Sequence, residues 1–270
     1  MRSLSLIPII GMIASLTYRT PLPQPELSPD LSAIQRETGL LVAERSTHWC
    51  TWFNMGGPVP SLPRVETYAM RRVDSLLTNI PLNLGRANPL KNNPVYLVHA
   101  IARSGWWKTE TEHVLLLQRQ QSGWRSLFHY DGGWYGKGID FDIIDLGTSS
   151  HQFALMIQDY ACGNTMSQTL TYIYRYDRAA GQFVEVYDEL TRWLPSATPM
   201  VYRSTLGFEG SDAALKDIVV CTQLIDQWNN YAETPCEARF SWDGTKYQGK
   251  MNLPEDLQQD VNKYLEHFPR

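Results

Sequence analysis

Tyr96–Ala102 reads YLVHAIA and His113–Arg119 reads HVLLLQR, two apolar runs joined by a polar stretch. The same layout returns twice. FALMIQ (Phe153–Gln158) is followed by LTYIYRY (Leu170–Tyr176), and IVVCTQL (Ile218–Leu224) by CEARFSW (Cys236–Trp242). Each second run ends in a Gly-containing turn and an aromatic: Ser122-Gly123-Trp124, Gly181-Gln182-Phe183 and Asp243-Gly244-Thr245-Lys246-Tyr247. Short apolar runs bounded by turn residues are the mark of paired antiparallel strands. The units Tyr96–Trp134, Phe153–Asp188 and Ile218–Tyr247 therefore predict an antiparallel β domain of three hairpin-like repeats over 94–251. The expected fold is mainly β, propeller-like or a sandwich, with one or two packed helices. An α+β sheet is the alternative.

Outward from this domain the pattern changes. Residues 20–93 are rich in Pro, with Pro21, Pro23, Pro25 and Pro29 at one end and Pro58, Pro60 and Pro63 further on, which suits an irregular segment. Within it Val65, Ala69, Val73, Leu76, Leu77 and Ile80 recur at helical spacing and predict a helix over about 65–80, stopped by Pro81. At the other end Asn252, Pro254, Glu255 and Asp256 open a helix over 252–270, with Leu257, Val261, Leu265 and Phe268 as its apolar stripe. Residues 1–19 read as a signal peptide: Arg2 precedes a mostly apolar run, Leu4–Leu16, too short to span a bilayer. The expected location is periplasmic or secreted, with no stable membrane span in the mature chain.

Composition narrows the partners. A hydrophobic share of 43% with 19% charged residues belongs to a folded globular chain. The formal net charge of −4 and the absence of basic clusters argue against nucleic acid, because a phosphate-tracking surface needs grouped Lys and Arg. The four cysteines, Cys50, Cys162, Cys221 and Cys236, lack zinc-ligand spacing, so no metal and no cofactor are expected. Cys221 and Cys236 flank the loop of the third repeat, and the reading pairs them in a disulfide. Closing about 15 residues would stabilise the fold by roughly 3 kcal/mol.

In layout, the repeats and the segments Arg175-Tyr176-Asp177 and Ser241-Trp242-Asp243-Gly244 resemble blades of integrin-type propeller repeats. Those blades bind calcium through D-x-D-x-D-G loops. Asp140-Phe141-Asp142-Ile143-Ile144-Asp145 has apolar residues where that loop needs Gly and polar ligands, so the family is not assigned. Asp140 and Asp142 share one side of a strand. With Glu110 or Glu112 they make a candidate acid/base pair for a cell-envelope glycoside hydrolase.

Four of the nine tryptophans, Trp106, Trp107, Trp124 and Trp134, fall in one short region. Trp106-Trp107 occupy the tip of the first hairpin, and Trp134-Tyr135 a Gly-rich connection after it. Rings on tips suit stacking against sugars or anchoring a protein partner. These four residues are the expected ligand-binding set. The leading reading is an exported, non-catalytic module that binds a glycan or a protein, with the hydrolase as the alternative.

Overall fold

A computed structural model describes residues 64–77, 94–103, 110–121, 123–132, 138–163, 166–195, 199–210, 214–229, 231–232 and 236–267. The chain forms antiparallel sheets in which sequence neighbours are nearly always spatial neighbours. Strands β1 (Arg64–Arg72), β2 (Val95–Arg103), β3 (Glu110–Gln120) and β4 (Gly123–Gly132) make a four-stranded sheet in that order. A longer sheet begins with β5 (Ile139–Asp145), β6 (Phe153–Gly163), β7 (Met166–Asp177) and β8 (Gln182–Pro195). It continues through β9 (Met200–Glu209), β10 (Asp217–Asp226), β12 (Cys236–Trp242) and β13 (Tyr247–Gln248). The short β11 (Tyr231–Ala232) lies off that path and pairs with β10. Helix α1 (Glu255–His267) follows.

Of the expected architectures the sandwich fits. The three repeats are not three separate blades: the first lies in the small sheet, and the other two run on within the long one. The long sheet turns a corner between β8 and β9, which share two residue pairs, Arg192–Arg203 and Trp193–Tyr202. Beyond the corner it folds back. Gly147 bridges Leu215, and the Lys216 amide donates to the Leu146 carbonyl at 2.7 Å, so the end of β5 meets the entry to β10.

This folding buries β6 and β7 on both faces. Along β6, Leu155 and Ile157 enter a core with Leu97, Val114, Leu116 and Tyr130 of the small sheet. The alternating Ala154 and Met156 enter a second core with Tyr187, Tyr202, Ile218, Phe240 and, from α1, Leu257 and Val261. A strand buried on both faces reads as a continuous apolar run rather than an alternating one. That accounts for FALMI, and likewise for Val114–Leu117, whose side chains are all fully or almost fully buried.

Two sequence expectations are corrected here. The helix expected over about 65–80 is instead β1 followed by a 3-10 turn, Asp74–Leu76. Val65, Ala69 and Val73 do fit a helical period, but the neighbouring edge of β2 offers a ladder from Arg64–Arg103 to Arg72–Tyr96, with one register shift between Val65 and Thr67, and backbone groups there need partners. As a strand, the segment points Tyr68 and Met70 onto Val98 and Leu115, while Val73, Leu76 and Leu77 reach the core between the sheets. The Cys221–Cys236 bridge is not formed: Cys221 is an exposed free thiol. The register sets Cys221 opposite Glu237 and Thr222 opposite Cys236, and positions one step apart on a ladder belong to opposite faces. The signal-peptide stretch 1–19 and Cys50 lie outside the described residues.

Two outcomes follow. Ile157→Ala and Ile173→Ala, which empty different cores, should each cost about 2–4 kcal/mol in equilibrium urea denaturation; a loss below about 1 kcal/mol at either site would mean that face is not packed. Alkylation of the native protein followed by peptide mapping should find Cys221 modified, and a Cys221–Cys236 cross-linked peptide would contradict the register.

Candidate functional site

The expected binding residues Trp106, Trp107, Trp134 and Tyr135 lie outside the described residues. Their anchors do not. Trp106-Trp107 fall between Arg103 and Glu110, which are paired across β2 and β3. Trp134-Tyr135 fall between Gly132 and Gly138, and Gly132 is paired with Glu112. Both connections therefore start from one end of the small sheet.

Beneath these anchors the two sheets enclose a polar cluster. His99 of β2 pairs in register with Val114, two residues from Glu112, so both side chains leave the inner face. The His99 Nε2 lies 2.7 Å from Glu112 Oε2, with both side chains largely buried (16% and 14% exposed). The same Glu112 oxygen accepts a hydrogen bond from the Ile139 amide at 3.2 Å, tying the small sheet to the start of β5. Gly138, at φ +90°, is the residue that permits this entry. Any Cβ there would stand 2.9 Å from Glu112 Oε1. Phe141 meets the His99 ring edge-on at 5.1 Å and fixes its plane.

A second carboxylate comes from the long sheet. Asp159 pairs with Ile139 in register, and its Oδ2 accepts a 2.8 Å hydrogen bond from the Tyr130 hydroxyl. Burial and the charge of Asp159 push the Tyr130 phenol well above its usual range, so it remains a donor. Tyr172 packs on Tyr130 at 5.5 Å. A side chain at Gly132 would collide with the Asp159 carboxylate, so this glycine is needed for close approach. The result is a carboxylate from each sheet, each gripped by a ring donor, at the sheet end where Arg103 pairs with Glu110 and Gly132 with Glu112.

The outer face of the same sheet end carries a different pair. His113 Nδ1 and His129 Nε2 are 3.0 Å apart, and His113 is fully buried. Burial pushes His113 down to about 4, with the nearby His99 adding to the effect and Glu112 opposing it. It is neutral at physiological pH, as a buried donor–acceptor pair of imidazoles requires.

The carboxylates singled out from sequence do not converge. Asp140 and Asp142 are exposed and alternate with Phe141 and Ile143, which face the inter-sheet core; Asp140 accepts from the Tyr160 hydroxyl at 2.8 Å. Glu112 contacts Ile139 from the inner side, so it shares no face with Asp140 or Asp142. The side chain of Glu110 lies outside the described residues. His99, Tyr130 and Asp159 were missed. The one signal for them was a histidine interrupting the apolar run of β2. Among the described residues no group of three or more His, Cys, Asp or Glu is arranged to hold a metal ion.

The His113 environment fixes a pH dependence. Unfolded, the ring titrates near 6.5; folded, near 4. Between these values the unfolded chain binds more protons, so stability is complete above about pH 6.5 and declines as the pH falls toward 4, by on the order of 3 kcal/mol. His113→Leu should flatten this decline in urea denaturation; equal slopes for the two proteins would show that the ring is not buried neutral. No protein-family model matches the chain, and comparison with curated proteins and with solved structures finds no match.

Proposed function

We propose that this protein is a non-catalytic binding module that recognises a glycan at the end of the sandwich where β2–β3 and β4–β5 are connected. The observation that carries this reading is the pair of ring-held carboxylates, Glu112 on His99 and Asp159 on Tyr130, under the anchors of Trp106, Trp107, Trp134 and Tyr135. Carboxylates held in place are strong acceptors for sugar hydroxyls, and flat aromatic rings cover the C–H faces of a pyranose. In this reading the chain works in the periplasm or after secretion, as the apolar run at 4–16 implies. Among the described residues no helix is long and apolar enough to cross a membrane.

A glycan array followed by calorimetry on the best ligand tests the proposal. Trp134→Ala and Glu112→Gln should each weaken binding about tenfold or more, with Trp134→Ala leaving the melting temperature nearly unchanged. Absence of glycan binding, with capture of a protein ligand through the same tryptophans, would replace the sugar by a protein partner. Release of reducing sugar by the native chain, lost in Asp159→Asn, would overturn the non-catalytic reading.

A further inference from the structure

On the other side of the long sheet, Arg175 of β7 turns toward the second core. Its guanidinium carbon lies 5.0 Å from the centre of the Trp242 ring, a cation–π contact. Nη2 donates to Gln152 Oε1 at 2.8 Å. Two of the groups around it are fixed by the seam that closes the sheet. Asp145 accepts from the amides of Gly147 and Gln152 and pairs with His151, which shapes the loop that presents Gln152. Tyr247 stands edge-on to Trp242 at 5.4 Å and donates its hydroxyl to the Lys216 carbonyl at 2.8 Å. The plane of the guanidinium is thus set before any ligand arrives.

Among the described residues Arg175 makes no ion pair; its hydrogen-bond acceptor is a neutral amide. Its Nε is sealed from solvent without a partner, whereas Nη1 makes no hydrogen bond and is not sealed. Desolvation lowers the Arg175 pKa, opposed by Tyr247 and Asp177. Asp177, the carboxylate whose charge reaches Arg175, is occupied by the Ala179 and Ala180 amides of its own turn. A half-buried cation with no acid in contact is costly, and proteins normally place one against it.

We propose that Arg175 and Trp242 form an anion site for a carboxylate group, bound through the open guanidinium edge with the rest of the ligand along the indole. A planar carboxylate matches the donor fork. The charge of Asp177, which is felt at Arg175, favours this singly charged group over a doubly charged phosphate. The site lies on the opposite face of the long sheet from Asp159 and stands independently of the glycan reading.

The test is a titration of the native protein with acetate, inorganic phosphate and chloride at constant ionic strength, followed by NMR of the Arg175 Nε–H and the Trp242 indole N–H. Acetate should give saturable shifts at both groups in the millimolar range, with chloride giving none. Gln152→Glu, which supplies a carboxylate from within, should abolish the acetate response and raise the melting temperature. Arg175→Lys should weaken the response of the Trp242 N–H about tenfold. No saturable acetate shift, an equal shift with chloride, tighter saturation by phosphate than by acetate, or unchanged acetate binding in Gln152→Glu would each overturn the proposal. The native titration decides even if a variant fails to fold.

Discussion

Burial of β6 and β7 on both faces is the constraint on which the rest depends. Residues one apart on β6 feed different cores: Leu155 and Ile157 toward the small sheet, Ala154 and Met156 toward the folded-back half of the long one. A slip of one residue would exchange the two sets and set large side chains against spaces shaped for others. Each fully buried Leu or Ile contributes roughly 1.5–3 kcal/mol, so register in this layer is held from both sides.

The polar cluster follows from that layering. His99 and Glu112 sit on the inner face of the small sheet because the pleat that buries Val114 also turns them inward. Asp159 meets Tyr130 because β6 continues past Ile157 on the same face. Polar groups are tolerated at this depth because each has a partner, Glu112 and Asp159 across the sheet gap and His99 beside it on Glu112, and the glycines at 132 and 138 leave room for the carboxylates.

The strand content was legible from residues because the apolar runs are long and end in turns. Asp177, Asp226 and Asp243 each accept backbone amides in the turn that follows them, which is the chemistry those turn sequences announce. Segment 65–80 was misread because its apolar spacing satisfies two periods, and a partner strand far along the chain decides between them. The disulfide failed for a related reason: closeness in sequence says nothing of the one-step offset that separates Cys221 from Cys236 across the ladder. The cluster was invisible because Asp159 comes from a different sheet than His99 and Glu112, and no spacing rule joins them.

Most pairings here join consecutive strands, so hairpins assemble locally and lose little chain entropy as they do. The junction of Leu146 and Gly147 with Leu215 and Lys216 is of another kind. It brings together stretches separated by four strands, with the corner at Trp193 and Tyr202 between them. Closing it costs more chain entropy than closing a hairpin. The groups that it arranges around Arg175 therefore depend on a long-range closure rather than on a local turn.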